Sequence, residues 1–119
     1  RHADELAALL SPRVREALGT VPVLLTAPPD HEQGGRRLAG FADAVRDALW
    51  DAARARGLGF WDARAAMGGP GSVKAWRERG WMAPDLIHAT REGYAILAER
   101  FVAALLEAGG FPSAGEGAP

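Results

Sequence analysis

A carboxylate and an imidazole lie three residues apart in the string Asp85-Leu-Ile-His88, just before a long helical pattern. An imidazole can take a proton from an attacking hydroxyl group, and a carboxylate bonded to its other nitrogen fixes the tautomer and stabilises the imidazolium. The spacing therefore predicts an acid–base pair in which His88 is the base and Asp85 orients it. By itself the spacing is common, and the alternative is an Asp that caps local amides beside a packed His.

Other polar candidates follow two short apolar runs that are predicted to be strands. Pro29 and Asp30 come after the first run, and Asp62 comes after the second. Ligands of open parallel sheets bind beyond the carboxyl ends of the strands, so we expect Pro29 and Asp30 to line a substrate cleft. Turn and cap roles are the commoner alternative for an Asp at such a position.

Two tryptophans precede the Asp-His string and predict a bulky wall beside it. Trp81, with Trp76 before it, would serve either as a platform on which a sugar ring stacks or as a cover for the hydrophobic core. The sequence leaves both interpretations open.

The remaining histidines do not form a metal site by spacing. His2 and His31 stand apart from other ligand residues, whereas a metal centre needs about three convergent protein ligands. The chain has no cysteine, which excludes thiolate sites and disulfides. The glycine-rich stretch 68–71 lacks the Lys of a phosphate-binding loop. We therefore expect neither a metal nor a cofactor.

Alternating helix and strand patterns predict an α/β fold whose strands are parallel and joined by right-handed crossovers. The first strand should be interior and buried on both faces. The final helix should bury Tyr94, Leu97, Ala98, Phe101 and Leu105. The predicted elements are a helix ending at Leu18 and interrupted at Ser11-Pro12, a strand at 21–27, a helix at 36–56, a strand at 58–61, a helix from Ser72 as its cap to Arg79, and a helix at 91–108 capped by Thr90.

The string 85–94, Asp-Leu-Ile-His-Ala-Thr-Arg-Glu-Gly-Tyr, resembles the last block of the SGNH (GDSL-type) esterase and acyl-hydrolase family, D-x-x-H-x-T-x-x-G-[YF]. Residues 60–62 and 66–72, with Trp76 and Gly80, are similar to a bacterial subgroup often associated with O-acetyl groups of carbohydrate or cell wall. The resemblance implies a flavodoxin-like fold with a three-layer parallel sheet. It also implies that Asp85 and His88 are two members of a Ser-His-Asp triad.

The family's nucleophile and oxyanion-hole blocks are not found in this sequence. There is no Asn, and the three serines, Ser11, Ser72 and Ser113, lack the Gly-Asp-Ser context. We therefore expect residues 1–110 to be the C-terminal portion of an SGNH domain, inactive alone, whose N-terminal half carries the Ser. Residues 111–119, rich in Gly, Pro and Ala, are expected to be a disordered tail.

Composition argues against other function classes. A net charge of −1 gives no broad attraction for nucleic acid, and no apolar run approaches the roughly 20 residues that span a bilayer. The expected partners are thus a small ester or acylated glycan and the missing half-domain. The sequence does not assign a compartment, and a periplasmic or secreted bacterial parent is one option that stays open.

The function that the resemblance implies is hydrolysis of small-acyl esters, with O-acetyl glycans as one substrate class. Two alternatives stay open. An acyltransferase would use the same triad with an acceptor hydroxyl in place of water. A non-catalytic interaction module derived from such a hydrolase would bind a partner through Trp50, Trp76 and Trp81.

Overall fold

The computed structural model describes residues 11–37 and 39–109, so the predicted helix before Ser11 and the predicted tail at 111–119 lie outside the described residues. Secondary structure alternates as the sequence pattern indicates, with three short elements that it did not predict, namely strands at 32–33 and 36–37 and a helix at 63–67. The elements are α1 (Pro12–Leu18), β1 (Leu24–Ala27), β2 (Glu32–Gln33), β3 (Arg36–Arg37), α2 (Ala39–Arg56), β4 (Gly59–Asp62), α3 (Ala63–Met67), α4 (Ser72–Glu78) and α5 (Arg91–Glu107).

Strands β1 and β4 pair in parallel, from Leu24 opposite Gly59 to Ala27 opposite Asp62. Helix α2 forms the connection between them and packs on both strands. The prediction of an α/β chain with parallel strands is therefore confirmed, whereas a complete three-layer fold stays a prediction.

Burial of β1 differs from the expectation that both of its faces would be covered. Ala27 is buried, but Leu24 and Leu25 are half-buried and Thr26 is exposed. In the part of the chain that the structure describes, β4 is the one strand paired with β1, and the second edge of β1 has no strand against it. The prediction of burial on both faces is therefore wrong for these residues.

A short antiparallel hairpin replaces the predicted start of the long helix. Arg36–Arg37 pairs with Glu32–Gln33, and α2 begins only at Ala39. The intervening Gly34 and Gly35 have φ of 59° and 73°, as the tightest hairpin turns require. The apolar spacing correctly predicts a helix, but it does not predict that the chain first reverses direction at Gly34 and Gly35.

The core lies between α3, α4 and the loop that precedes α5. Trp76 is 2% exposed, and its ring Nε1–H donates to the Met67 carbonyl at 2.9 Å. The cluster consists of Met67, Val73, Trp76 and Met82, with Trp81, Leu86, Ala89, Ile96 and Leu97 packed against it. Three members of this set, Leu86, Ala89 and Met82, belong to the segment around the Asp-His string, so the core directly supports that segment.

Two predicted helix details are wrong. Ser72 was expected to cap α4, but Gly71 occupies the cap position and Ser72 is the first helical residue, with a buried Oγ that has no hydrogen-bond partner among the described residues. Tyr94 and Ala98 were expected to be buried in α5, yet Tyr94 is 53% exposed and Ala98 is also exposed. Gly93 is the one fully buried residue of α5, Ile96 beside it is half-buried, and the predicted Leu97, Phe101 and Leu105 are half-buried.

Candidate active site

The structure brings Asp85 and His88 into direct contact. His88 Nδ1 and Asp85 Oδ2 are 2.7 Å apart, and the side chain of His88 is 70% exposed while that of Asp85 is 46% exposed. An ionised carboxylate can only accept, so Nδ1 carries the proton of this bond. In the neutral imidazole Nε2 is then the nitrogen that can accept a proton, and it belongs to a ring that solvent reaches.

Asp85 is held by both of its oxygens. Oδ2 bonds the His88 ring, and Oδ1 accepts from the backbone N–H groups of Ile87 at 2.9 Å and His88 at 3.0 Å. The bond from the His88 side chain, followed by the two backbone bonds, lowers the pKa of Asp85 to about 2. The sequence left two interpretations of Asp85 open, a cap on local amides or a partner of the His88 ring. In the structure the same side chain makes both kinds of bond.

The loop around the pair contains an unusual backbone conformation at Leu86. Its φ is 59°, the one positive value at a non-glycine residue in the described ranges. A left-handed conformation at such a residue costs about 1–2 kcal/mol and persists only where neighbouring contacts impose it. Here Leu86 N–H donates to the Ala83 carbonyl, Ala83 N–H donates to the His88 carbonyl, and the Leu86 carbonyl accepts from Glu32 N–H, at 2.8–3.0 Å.

Thr90 joins this loop to helix α5 as predicted. Its Oγ1 accepts from Gly93 N–H at 3.1 Å, the bond expected of a helix N-cap, and the same hydroxyl donates to the Gly80 carbonyl at 2.8 Å. The helix start is thereby fixed two residues after His88. This ties the imidazole-bearing segment to the longest element of the C-terminal part.

An apolar cavity of about 40 Å³ lies beside the loop. One water molecule needs about 10–15 Å³ measured this way, so the cavity has room for a group of a few heavy atoms. Ile87 and Ala89, the chain neighbours of His88, are among its lining residues, as is Pro29, which the sequence predicted at a substrate cleft. The complete lining is Pro29, Met67, Trp76, Met82, Ile87, Ala89, Tyr94 and Leu97.

Asp30 lies close to this region but is 4% exposed. Its Oδ2 accepts from Val73 N–H at 3.0 Å, and its own N–H points at the Met67 sulfur at 3.2 Å. These contacts fasten the loop after β1 to the end of α3 and the start of α4. They account for the burial of the carboxylate, and a role in substrate binding stays a prediction.

Asp62 has the cap role that was weighed as the commoner alternative. Its Oδ1 accepts from Ala65 N–H at 3.0 Å at the start of α3, and its Oδ2 accepts from Arg46 Nε at 2.8 Å. No sequence signal pointed to Arg46 as its partner, because the two residues belong to different elements.

Trp81 packs by its edge and face against protein groups. Its ring is 5.2 Å from that of Trp76 at 79°, and the Arg79 guanidinium lies 5.0 Å from its centre. Both contacts agree with the interpretation of Trp81 as a cover of the core. Its use as a stacking platform stays a prediction.

Across the described ranges, no group of three or more His, Cys, Asp or Glu side chains is arranged to hold a metal ion. Within the same ranges, no helix has the length and apolar character needed to cross a membrane.

Comparison with known proteins gives one informative match. No protein-family model and no curated protein matches the chain. A solved structure of a peptidoglycan O-acetylesterase superposes with a TM-score of 0.72 at 27% sequence identity, over 89% of this chain and 30% of that one. The chain thus spans about a third of the length of the structure that it matches. The similarity in fold and sequence supports an esterase-like hydrolase as the class of protein to which this chain is related.

Proposed function

We propose that this chain supplies the His-Asp part of a serine esterase of the SGNH type, which cleaves esters of small acyl groups such as O-acetyl groups on a glycan. The observation that carries the proposal is the 2.7 Å contact between His88 Nδ1 and Asp85 Oδ2, with an exposed ring. The similarity to a peptidoglycan O-acetylesterase supports the same reaction class.

In the proposed mechanism the nucleophile is a Ser hydroxyl on a segment outside these 119 residues. His88 Nε2 accepts its proton as the oxygen attacks the ester carbonyl, and the resulting imidazolium is stabilised by Asp85. His88 then gives the proton to the leaving alcohol oxygen, which leaves an acyl-enzyme. Water, deprotonated by the same imidazole, releases the acid and regenerates Ser.

The electrostatics of Asp85 suit this role. Because the His88 bond lowers the pKa of Asp85 to about 2, the carboxylate remains ionised throughout the pH range in which esterases work. An orienting group of this kind must stay a proton acceptor on Nδ1 so that Nε2 is free to act as the base. The three-residue spacing lets a single loop satisfy both requirements.

The cavity offers a place for a small acyl group. Its volume of about 40 Å³ and its apolar lining suit a methyl or ethyl group next to the chain neighbours of His88. An acetyl ester is the simplest substrate that fits this size.

The test is ester cleavage by a chain that joins these residues to an upstream segment bearing the Ser and oxyanion-hole blocks. With p-nitrophenyl acetate, His88→Ala should lower kcat on the order of 10⁴-fold to 10⁶-fold, as removal of a triad base does in a serine protease. His31→Ala is the matched control, because the His31 ring bonds the Pro29 carbonyl and has no role in the proposed triad, and it should retain cleavage within a few-fold. Equal cleavage by the His88→Ala variant would remove His88 from the mechanism.

The acyltransferase alternative uses the same residues and is separated by the acceptor. Adding an alcohol to the assay should leave the rate of acid release largely unchanged for a hydrolase. Diversion of most acyl groups to the alcohol would favour a transferase instead. A complete chain that binds glycan without any cleavage would favour the interaction module.

A further inference from the structure

Glu32 is a buried carboxylate without a role in the proposed mechanism. It lies in the two-residue strand β2, is 4% exposed, and has its Oε1 3.7 Å from Lys74 Nζ. A buried carboxylate is costly unless a cation or hydrogen bonds compensate it. Its position relative to α4 is therefore constrained by Lys74, which lies on the first turn of that helix.

The backbone of Glu32 is bonded to the loop that contains the Asp-His pair. Its N–H donates to the Leu86 carbonyl at 3.0 Å. Leu86 is the residue with φ of 59°, and it stands between Asp85 and the two amides that Asp85 Oδ1 accepts from. The left-handed turn at Leu86 is what directs the Ile87 and His88 amides back toward Asp85.

The segment that carries Glu32 is anchored to α4 at a second point. Asp30 Oδ2 accepts from Val73 N–H at 3.0 Å, two residues before Glu32 and one before Lys74. Side chains 30 and 32 thus hold β2 on the first turn of α4 while the amide of residue 32 holds Leu86. Among the described residues, the bond from Glu32 N–H is the backbone hydrogen bond that joins the Leu86 carbonyl to the rest of the chain.

We infer that Glu32 is a positioning residue for the Asp85–His88 pair, because its buried carboxylate fixes the amide that keeps Leu86 left-handed. When that amide moves, the Leu86 carbonyl loses its partner and Leu86 relaxes to an ordinary backbone conformation. The Ile87 and His88 amides then turn away from Asp85. The catalytic consequence rests on the proposed function, whereas the structural link from Glu32 to the pair does not.

The test compares Glu32→Gln with Glu78→Gln in the 119-residue chain by NMR. Glu78 is an exposed carboxylate at the end of α4, the helix that carries Lys74, and is the matched control. The readouts are amide hydrogen exchange at residues 32, 87 and 88 relative to Leu97 in α5, and the titration of the Asp85 carboxyl carbon. Glu32→Gln should lower protection at residues 32, 87 and 88 by about tenfold or more beyond any change at Leu97. The reason is that the loop would open locally in this variant, whereas Leu97 would still exchange only when the larger part of the chain unfolds.

The same variant should raise the pKa of Asp85 from about 2 toward its ordinary value of 3.8, and Glu78→Gln should leave it unchanged. A merely structural Glu32 would lower protection equally at all of these amides and leave the Asp85 titration where it is. That result would overturn the inference.

Two further variants keep the test decisive if Glu32→Gln does not fold. Lys74→Gln changes a side chain that is 70% exposed and removes only the partner of Glu32, so it should produce a smaller selective loss at residues 87 and 88. Leu86→Gly added to Glu32→Gln should restore protection there relative to Glu32→Gln alone, since glycine adopts the left-handed conformation without strain. An unselective response in Lys74→Gln, or no rescue by Leu86→Gly, would contradict the inference.

None of these measurements uses an ester. A selective loss of protection at residues 32, 87 and 88, together with absent esterase activity in the complete chain, would support the positioning role and reject the proposed function. An active esterase in which Glu32→Gln leaves the pKa of Asp85 unchanged would support the proposed function and reject the positioning role of Glu32.

Discussion

Gly93 lies so close to the backbone carbonyl of Trp81 that a Cβ at position 93 would overlap the oxygen. The same carbonyl accepts from Thr90 N–H at 3.0 Å, so the first turn of α5 is pressed against the segment that leads into the Asp-His loop. This contact also sets the rotation of α5 about its axis. It explains why Gly93 is buried and Ile96 half-buried, whereas Tyr94 is exposed.

Gly93→Ala should therefore destabilise the fold. Backbone carbonyl and helix must separate to admit the methyl group, and overpacking of this kind costs about 1–3 kcal/mol. Gly40→Ala is the matched control, because Gly40 is also helical and a Cβ there meets nothing within 4 Å. It should be neutral or stabilise by up to about 1 kcal/mol. Urea unfolding of the two variants measures the difference, and equal stability would show that the contact is not rigid.

Asp30 provides a second prediction, which separates its structural contact from a role toward substrate. Asp30→Ala leaves the buried Val73 N–H without a partner, which should lower the free energy of unfolding by about 1–3 kcal/mol. Asp30→Asn keeps an acceptor oxygen and should recover most of that loss. The exposed Asp51, paired with Arg54 only at 4.0 Å, is the control, and Asp51→Ala should change stability by less than about 0.5 kcal/mol.

Stability alone does not exclude a substrate contact at Asp30. If the carboxylate also binds substrate, Asp30→Asn should raise KM in the complete esterase while its unfolding curve stays close to that of the parent chain. An unchanged KM in a stable Asp30→Asn protein would confine Asp30 to its bond with Val73.

The Asp-His pair and the Thr90 cap were predictable because they depend on local spacing. A three-residue separation is short enough for one loop to close, and an N-cap is defined by the residues that follow it. The order of apolar runs was likewise enough to predict that β1 and β4 are parallel. In each case the determining interactions lie within a few residues or follow from chain connectivity.

The contacts that support the pair could not be read in this way. Glu32 meets Leu86 across 54 positions of sequence, and nothing in either residue type indicates the bond. The left-handed conformation of Leu86 is imposed by that tertiary contact against the preference of the residue. Arg36 and Arg37 have helical neighbours in sequence, but the turn at Gly34 and Gly35 places them in a hairpin.

The pKa of Asp85 gives a third prediction, on the pH dependence of stability. The His88 bond lowers this pKa from 3.8 to about 2, so the folded chain binds this proton more weakly than the unfolded chain. The stabilisation is then fully present above about pH 4 and is lost as the pH falls through about 2. Because Asp85 is solvent-exposed, this stabilisation acts on the loop around it, and the prediction concerns the direction of the change with pH.

The measurement is the difference in unfolding free energy between the parent chain and Asp85→Asn at several pH values. The difference should shrink steadily as the pH falls from about 4 toward 2, where the Asp85 carboxylate becomes protonated in the folded chain. Asp47→Asn, at an exposed carboxylate bonded to Arg46, shows how much of any change is a general effect of losing a charge. A pH-independent difference for Asp85→Asn would contradict the assigned cause.

The cavity lined by Ile87 and Ala89, the chain neighbours of His88, leads to a fourth prediction, which concerns acyl length in the complete esterase. Ala89→Val adds two methyl groups at a lining position, and a β-branched residue suits the extended pairing of Ala89 with Met82. A methylene that is excluded from an apolar pocket typically changes kcat/KM by about 10-fold or more. The ratio of kcat/KM for butyryl over acetyl esters should therefore fall by about that factor.

Ala95→Val, on the exposed face of α5, should leave the ratio unchanged. A ratio that is equally unaffected by both substitutions would mean that the acyl group lies elsewhere, while cleavage of acetyl esters by both variants would keep His88 and Asp85 in their proposed roles.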